Sequence, residues 1–428
     1  MDRVGAGRPR IPTHLFSSTM TVRSDGHLLI GGVAARTIAE EVGTPVFVYD
    51  EDHIRARLRE AVAAFSGTIA YASKAFLCRA MAEIVAEEGV HLDAASMGEI
   101  YVALQGGVSP AKIVFHGNNK STRELEYATS IGVGRIVVDS FDELERLNAL
   151  TQEPIDIWLR LTPGIEAHTH EFIRTGQDDS KFGFNVGNGD ADRAVQWVAN
   201  HRNLRLRGLH AHIGSQIFRL ESFSEEVEVV AEFVQRYQLE ELNLGGGLGV
   251  SYLEEETAPS VVDWVKAVDQ AATRLGLPGE TKLFLEPGRA IVATAGLTLY
   301  AVGTRKEIPG IRRYVSIDGG MSDNPRPVLY GSGYAVYAAE RLFDLHDEEW
   351  SVAGKHCESG DIIVKDGLLP RDLRLGELLV TPVTGAYGYA MSSNYNKVPR
   401  PPVVFIGGGV MRVVVRGETL DDLVRLDA

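Results

Sequence analysis

One lysine of this sequence, Lys74, lies two residues after the apolar run 68–72, where a buried strand has no need of a charge. An amine at such a position can condense with a carbonyl group, or it can reach solvent along its aliphatic stem. Far along the chain, Glu286 ends another β-rich run and Arg289 follows within three residues, while the glycine-rich stretch 245–249 ends a third run. Together these groups could offer one ligand an amine, a carboxylate, a cation and exposed backbone N–H groups.

Eight β-rich runs alternate with amphipathic stretches between about residues 48 and 290. In the intervening stretches apolar residues recur at three- and four-residue spacing, which is typical of helices. Such alternation predicts a parallel sheet covered by helices, and eight strands are the number that closes a (β/α)8 barrel of the TIM type. We predict that barrel, with an open doubly wound sheet as the alternative. The eight runs are 68–73, 90–95, 112–117, 135–140, 156–162, 206–214, 241–247 and 282–288.

Polar residues fall repeatedly at or near the carboxyl ends of these runs. A parallel barrel has its active site at that end, so we expect these side chains to converge. They are Lys74, Asp93, Ser96, His116, Asp139, Arg160, His210, His212, Ser215, Glu286 and Arg289.

The glycines after the seventh and eighth runs match the corner where such barrels bind phosphate through backbone N–H groups. They do not form a G-x-G-x-x-G fingerprint, so we do not predict a dinucleotide site. A phosphate corner, a strand-end lysine and a nearby carboxylate together predict pyridoxal phosphate, which needs a Schiff-base lysine and a partner for its pyridine nitrogen. Glu286 suits that partner, and His212 could lie on the ring face. Taken singly, a solvent-reaching lysine, a tight turn and a core histidine would each be ordinary, so their joint placement carries this prediction.

After about residue 291 the residue pattern changes: β-rich runs are separated by Gly, Pro and Asp, and few helical patterns occur. This predicts a second, all-β domain of barrel or sandwich type. The N-terminal segment has the same pattern of β-rich runs. We therefore predict a pyridoxal-phosphate-binding barrel over 48–290 and a discontinuous β-rich domain over 1–47 and 291–428, with the first 20 or so residues as a loose leader.

The composition excludes several classes of protein. The chain has 428 residues and a formal net charge of −15, with no Lys/Arg block, so a nucleic-acid partner is not expected. Two cysteines are too few for a disulfide framework and suit a reducing compartment. No apolar run reaches membrane-spanning length. We expect a cytoplasmic protein without a membrane or metal partner.

The sequence resembles the pyridoxal-phosphate-dependent decarboxylases of the alanine-racemase-like barrel group, most closely the branch that acts on diaminopimelate. The motifs follow the family's order along nearly the whole chain. They are YASKAF (71–76), HLDAASMGEI (91–100), FHGNNKS (115–121), HTHEFIRTGQDDSKFGF (168–184), HAHIGSQI (210–217), LGGGLGVSY (244–252), EPGRAIVATAG (286–296), DNPRPVLYG (323–331), CESGDII (357–363) and GAYGYAMSSNYN (385–396).

The resemblance implies specific roles. Lys74 would form the Schiff base with pyridoxal phosphate, and Cys357 would be the acid that returns a proton. The other implied cofactor-binding residues are Asp93, His212, Ser215, Gly246, Gly247, Glu286, Gly288, Arg289 and Tyr387. The implied substrate-binding residues are Arg289, Arg326, Tyr330, Glu358 and Tyr387. In this family the segment with Cys357 and Glu358 comes from the partner subunit of a homodimer.

The resemblance implies decarboxylation of meso-2,6-diaminopimelate to L-lysine and CO2, the last step of lysine biosynthesis. The arginines would bind the distal carboxylate, and Glu358 the distal ammonium. A decarboxylase of ornithine, arginine or a carboxylated polyamine is the nearest alternative, but those substrates lack the distal carboxylate. An amino-acid racemase would leave Glu358 without a purpose. A non-catalytic relative, or a phosphate-ester-binding barrel without pyridoxal phosphate, is the alternative from another class.

Overall fold

The computed structural model describes residues 11–151, 153–164, 180–277 and 280–428, and the chain divides into two compact units. A β-rich unit comprises Met1–Ala56, Ser251–Thr257 and Ile291–Ala428. A barrel unit comprises Arg57–Val250 and Ala258–Ala290. Among the described helices, none has both the length and the apolar character needed to cross a membrane.

The first part of the chain contributes short strands and two helices. They are β1 (Thr21–Val22), β2 (Leu28–Ile30), β3 (Val33–Ala34), α1 (Ala35–Val42), β4 (Val46–Asp50) and α2 (Glu51–Ala64). β1, β2 and β3 form a small antiparallel sheet of their own.

The barrel unit follows with alternating strands and helices. The strands are β5 (Thr68–Ala72), β6 (His91–Ala94), β7 (Ile113–Phe115), β8 (Arg135–Val138), β9 (Ile155–Thr162), β10 (Phe184–Asn185), β11 (Leu204–Ala211), β12 (Glu241–Asn243) and β13 (Lys282–Leu285). The helices from here to the second part of the β-rich unit are α3 (Arg79–Glu87), α4 (Met97–Gln105), α5 (Thr122–Ile131), α6 (Phe141–Leu150), α7 (Asp190–Ala199), α8 (Leu220–Tyr237), α9 (Val261–Arg274) and α10 (Arg289–Val292).

Eight of these strands close into a parallel barrel. They run in the order β5-β6-β7-β8-β9-β11-β12-β13, and β13 pairs in turn with β5. The short β10 is added beside β9. The prediction of a (β/α)8 barrel is therefore confirmed, and the open doubly wound sheet is excluded. Trp158 and Phe284 pack edge to face in the barrel core beside Val114 and Val137.

The second part of the β-rich unit is mostly strand. Its elements are β14 (Gly296–Ile308), β15 (Arg312–Ile317), α11 (Arg326–Tyr330), β16 (Tyr337–Ala338), β17 (Glu348–Ala353), β18 (Ile362–Leu369), β19 (Leu378–Pro382), β20 (Val403–Gly407), β21 (Val410–Val415) and α12 (Leu420–Val424). The strands form one sheet in the order β18-β17-β15-β14-β4-β20-β21, and β19 joins β14 and β16. A β-rich second unit is what the sequence predicts.

The N-terminal limit of the barrel differs from the predicted one at residue 48. β4 pairs antiparallel with β14 and in parallel with β20, and this pairing holds residues 46–50 in the β-rich unit, which continues to Ala56. The segment Ser251–Thr257 also belongs to that unit, although it lies inside the predicted range 48–290. Tyr252 packs edge to face on Tyr334, and Glu254 accepts a hydrogen bond from the hydroxyl of Tyr337.

Candidate active site

The carboxylate of Glu286, the first residue after β13, is buried and held by three donors from other strands. Its Oε1 atom lies 2.8 Å from Nε2 of His116 and accepts a hydrogen bond of 2.6 Å from the Asn243 amide. Its Oε2 atom lies 3.3 Å from Nε2 of His210. The ends of β7, β11 and β12 thereby fix the orientation of one carboxylate in the barrel.

The charges of this cluster can be assigned from its surroundings. Burial raises the pKa of Glu286, but the charges and hydrogen bonds of His116 and His210 outweigh it and hold that pKa well below its ordinary value. Burial lowers the pKa of His116, yet the carboxylates of Asp93 and Glu286 outweigh it, so that pKa is raised. Burial lowers the pKa of His210 to about 4. Glu286 is therefore ionised and the charged form of His116 is favoured, while His210 is neutral and donates through Nε2.

Asp93, the third residue of β6, lies beside this cluster. One of its carboxylate oxygens is 3.7 Å from Nε2 of His116, and the side chain is buried. Burial raises the pKa of Asp93 to about 6. Its predicted part in cofactor binding stays a prediction, and its observed neighbour is the histidine that holds Glu286.

Lys74 lies in a short 3-10 turn, Ser73–Ala75, that follows β5, and its side chain is exposed. The backbone beside it approaches the end of β13 very closely. A Cβ atom on Gly288 would lie 2.9 Å from Cβ of Ala72 and 3.1 Å from Cβ of Ala75, so a side chain there would displace the turn. Gly288 therefore allows the turn with Lys74 and the segment after Glu286 to lie together.

His212, Ser215, Gly246 and Arg289 form two adjoining contacts at the ends of β11, β12 and β13. The N–H of Gly246 donates to Nδ1 of His212 over 3.3 Å, and Nη2 of Arg289 donates to Oγ of Ser215 over 2.9 Å. Burial, with added repulsion from Lys74, lowers the pKa of His212 well below its ordinary value, so the imidazole is neutral. A Cβ on Gly246 would lie 2.2 Å from the carbonyl oxygen of Glu286, and only glycine fits there.

The residue types of the barrel fit pyridoxal phosphate. Lys74 offers an amine for the aldehyde, and ionised Glu286 offers a buried partner for the pyridine nitrogen. The glycines at 245–247 and the guanidinium of Arg289 are the kinds of group that bind phosphate. A neutral, half-buried imidazole at His212 is compatible with stacking on an aromatic ring.

Within the part of the chain that the structure describes, one cluster could hold a metal ion. His116, His210 and Glu286 offer ligand atoms within 4.8 Å of one another. The same atoms are joined by hydrogen bonds that explain the ionisation of Glu286. We therefore interpret His116 and His210 as hydrogen-bond partners of Glu286 and not as metal ligands.

In the β-rich unit, Arg326 is buried and surrounded by aromatic rings. Its guanidinium carbon lies 5.3 Å from the ring centres of Tyr252 and Tyr330 and 5.8 Å from that of Tyr387. Its Nη2 donates to Ser332, while its Nε–H has no hydrogen-bond partner among the described residues. The aromatic faces stabilise the cation and leave donors for an anionic ligand.

Tyr387 has a φ of 60°, in the left-handed region that non-glycine residues adopt only at a cost. Residues in such conformations cluster at functional sites, where the surrounding structure holds them in place. The binding role of Tyr387 stays a prediction, and a strained backbone at this position is typical of residues that bind ligands.

Cys357 and Glu358 lie in the loop between β17 and β18. Neither Cys357 nor Cys78 forms a disulfide, and Cys357 is exposed whereas Cys78 is buried. Glu358 is also exposed, and its Oε1 atom accepts a hydrogen bond from the hydroxyl of Tyr395.

The sequence alone assigns no specific role to several residues that the structure places in contact with predicted site residues. His116 and His210 stand at strand ends, which was a usable signal, but their shared target emerges only from the barrel geometry. Asn243 and Tyr252 were not predicted as site residues. Asn243 could have been predicted, because it is a polar residue at the end of the buried strand ELN (241–243). Residues 168–179 of the HTHEFIRTGQDDSKFGF motif lie outside the described residues.

Comparison with known proteins defines the class first. Residues 51–293 match the family model described as pyridoxal-dependent decarboxylase, pyridoxal binding domain. The fold, the lysine and the buried carboxylate agree with that class, so this chain is a pyridoxal-phosphate-dependent decarboxylase.

Relatives that match over nearly the whole chain identify the branch of this class to which the chain belongs. The chain is 46% identical to the diaminopimelate decarboxylases of Bacillus subtilis and Mycobacterium tuberculosis, over 94% of this chain and 95% of theirs in both cases. A solved structure of the diaminopimelate decarboxylase from M. jannaschii in complex with L-lysine is 32% identical to this chain, with a TM-score of 0.90, and the match covers 96% of this chain and 98% of that one. The chain belongs to the diaminopimelate decarboxylase family.

Proposed function

We propose that this chain removes CO2 from meso-2,6-diaminopimelate to give L-lysine, the last step of lysine biosynthesis. The observation that carries the substrate choice is the buried Arg326, held over three tyrosine rings with Nε–H unbonded among the described residues. Ornithine and arginine have no distal carboxylate to offer such a cation. The M. jannaschii relative was solved with L-lysine, the product of this reaction.

The barrel residues hold the cofactor in this proposal. Lys74 would bind the aldehyde carbon, Glu286 would serve the pyridine nitrogen, and His212 would support the ring. Ser215, Gly246, Gly247, Gly288 and Arg289 would bind the phosphate, while Asp93 and Tyr387 would complete the surroundings. When bound, pyridoxal phosphate supplies an electron sink for the charge left by departing CO2.

The substrate is recognised at its distal end. Arg289, Arg326 and Tyr330 bind the distal carboxylate, and Glu358 pairs with the distal ammonium. Tyr387 borders substrate as well as cofactor. The carboxylate that leaves should sit in a weakly solvated place, because a tight arginine clamp would stabilise the ground state. Cys357 then donates a proton to the carbon that lost CO2, a role that requires a thiol rather than a thiolate.

The test is CO2 release and L-lysine formation from meso-diaminopimelate by protein saturated with pyridoxal phosphate. Lys74→Ala should lose at least about a thousandfold in kcat, as expected when a covalent anchor is removed. It should also lose the visible absorbance of the bound cofactor. Full activity of Lys74→Ala, or no lysine from the parent protein, would refute the proposal.

We also propose a homodimer in which the partner subunit supplies Cys357 and Glu358. The exposure of both residues in one chain supports this arrangement. Mixing Lys74→Ala with Cys357→Ala subunits should restore roughly a quarter of the parent activity, because half of the dimers are hybrids with one intact site. No recovery after verified subunit exchange would show that each chain uses its own Cys357.

The protein is proposed to act in the cytoplasm. The absence of a disulfide at both Cys78 and Cys357 suits a reducing compartment. Cell fractionation that finds the activity outside the cytoplasm would contradict this.

A further inference from the structure

The segment that carries Cys357 and Glu358 is anchored at the residue immediately before it. The imidazole of His356 is only 8% exposed, whereas Cys357 and Glu358 are exposed. The backbone N–H of His356 donates to Oδ2 of Asp361 over 2.8 Å. The buried side chain of His356 thus directly precedes two exposed side chains in the sequence.

Both ring nitrogens of His356 have partners on other loops. Nε2 lies 2.8 Å from Oγ of Ser322, and Nδ1 lies 3.1 Å from Oδ1 of Asn396. Because an amide oxygen only accepts, Nδ1 carries the proton and Nε2 accepts from the hydroxyl. The backbone of Ser393 also donates to the carbonyl oxygen of Ser322. His356 therefore joins three loops of the β-rich unit.

Asp361 closes the same segment from its far end. Its carboxylate is 2% exposed, and Oδ1 accepts from the backbone N–H of Met321 over 2.7 Å. Its own backbone N–H donates to the carbonyl oxygen of Glu358 over 3.1 Å. Residues 356–361 therefore form a closed turn fixed on the loop that contains Ser322.

Tyr395 governs the direction of Glu358. Its hydroxyl donates to Oε1 of Glu358, and its ring centre lies 5.5 Å from that of His356. The carboxylate is thus oriented by a tyrosine whose ring is placed beside the anchored imidazole.

We propose that His356 and Tyr395 are positioning residues, His356 for the thiol of Cys357 and Tyr395 for the carboxylate of Glu358. The inference rests on the proposed function, in which Cys357 donates a proton and Glu358 binds the distal ammonium. Every contact lies within one chain, so the turn is preformed before it meets a substrate. Preorganisation of this kind removes an ordering cost from binding and from proton transfer.

The two residues are expected to affect different kinetic constants of the full-length, cofactor-saturated enzyme. Tyr395→Phe should raise KM for meso-diaminopimelate about fivefold with kcat within about twofold, since one hydrogen bond to a binding carboxylate is lost. His356→Gln should lower kcat about tenfold with a smaller change in KM, because the proton donor is no longer held in place. Ser322→Ala, a milder change, should lower kcat in the same direction.

Double variants separate positioning from a general structural role. In a Cys357→Ser background His356→Gln should cause no further loss of kcat, and in a Glu358→Gln background Tyr395→Phe should cause no further rise in KM. Tyr101→Phe, which changes an exposed tyrosine of α4, is the matched control and should alter neither constant.

The possible outcomes distinguish failure of the positioning roles from failure of the proposed function. If Cys357→Ser and Glu358→Gln keep the parent kinetics, the proposed role of the segment fails, and the inference fails with it. If those variants are impaired but His356→Gln, Ser322→Ala and Tyr395→Phe remain within twofold of the parent, only the positioning roles are overturned. Effects that simply multiply in the double variants would also overturn them.

Discussion

Nε2 of His116 lies 2.8 Å from Oε1 of Glu286, and both side chains are buried. The two residues follow β7 and β13, which are not neighbours in the barrel sheet. Their contact keeps a carboxylate ionised in a place where burial alone would favour its neutral form. In the proposed function, that charge keeps the pyridine nitrogen of the cofactor protonated.

Replacing His116 should therefore shift the acid side of the activity profile. In His116→Gln the pKa of Glu286 rises because its charged neighbour is lost, so activity should fall at a higher pH than in the parent. We expect kcat at neutral pH to fall about tenfold. The measurement is kcat against pH, with His91→Gln as the control histidine. An acid limb that stays where the parent has it would contradict this role.

Arg326 should matter for substrate binding more than for the chemical step. Arg326→Ala should raise KM for meso-diaminopimelate about a hundredfold, because a charge-assisted contact to the distal carboxylate is lost. Steady-state kinetics would measure this, with the exposed Arg305→Ala as the control from the same unit. An unchanged KM in Arg326→Ala would assign the guanidinium to structure instead.

Lys120, within the FHGNNKS motif, should contribute mainly to stability. Its ammonium donates to the carbonyl oxygens of Gly117 and Val137 and lies 2.8 Å from Oε1 of Glu143, with both side chains 1% exposed. Lys120→Met should destabilise the fold by about 3–5 kcal/mol, because Glu143 is left as an unpaired buried carboxylate. Thermal or denaturant unfolding would measure it.

The control for that experiment is Lys306→Met, which removes an exposed lysine. The double variant Lys120→Met with Glu143→Leu should recover part of the loss, since no buried charge remains. A single variant as stable as the parent would show that water reaches Glu143.

The stability of the β-rich unit should depend on pH through Asp323. Burial raises the pKa of this carboxyl to about 7, although hydrogen bonds from Tyr300 and the Gly320 N–H oppose the shift. The folded chain thus keeps a proton that the unfolded chain loses near pH 4. The stability that Asp323 provides is complete below pH 4 and declines as pH rises to about 7, by on the order of 4 kcal/mol at most.

Asp323→Asn should remove this dependence. Its melting temperature relative to the parent should rise between pH 5 and pH 8, whatever its offset at low pH. Differential scanning calorimetry across that range would measure the difference. A constant offset would mean that Asp323 is already ionised at pH 5.

The barrel was predictable because its signals are local. Each of the eight predicted runs overlaps one of the closed barrel's strands, since alternating strand and helix periodicities can be recognised within a dozen residues. The placement of Ser251–Thr257 and β4 was not predictable in the same way. It depends on contacts such as Glu254 with Tyr337, 83 residues apart, which no local pattern records.

The candidate site likewise has residues that the sequence could predict and residues that it could not. Lys74, Glu286 and Arg289 could be named because their residue types match a chemistry and their motifs match a family. The supports of Glu286 could not, because a histidine after β7 and an asparagine at the end of β12 meet only when the sheet closes. Tyr395 and His356 lie in or beside recognised motifs, but their connections to the segment with Glu358 require the folded loops.

The most direct test compares kcat/KM for meso-diaminopimelate, L-ornithine and L-arginine with one preparation saturated with pyridoxal phosphate. We predict that meso-diaminopimelate is preferred by at least about a thousandfold, because a site built for a charged group rejects ligands that lack it. Efficient turnover of ornithine or arginine, with diaminopimelate ignored, would leave the cofactor chemistry standing and contradict the recognition of a distal carboxylate.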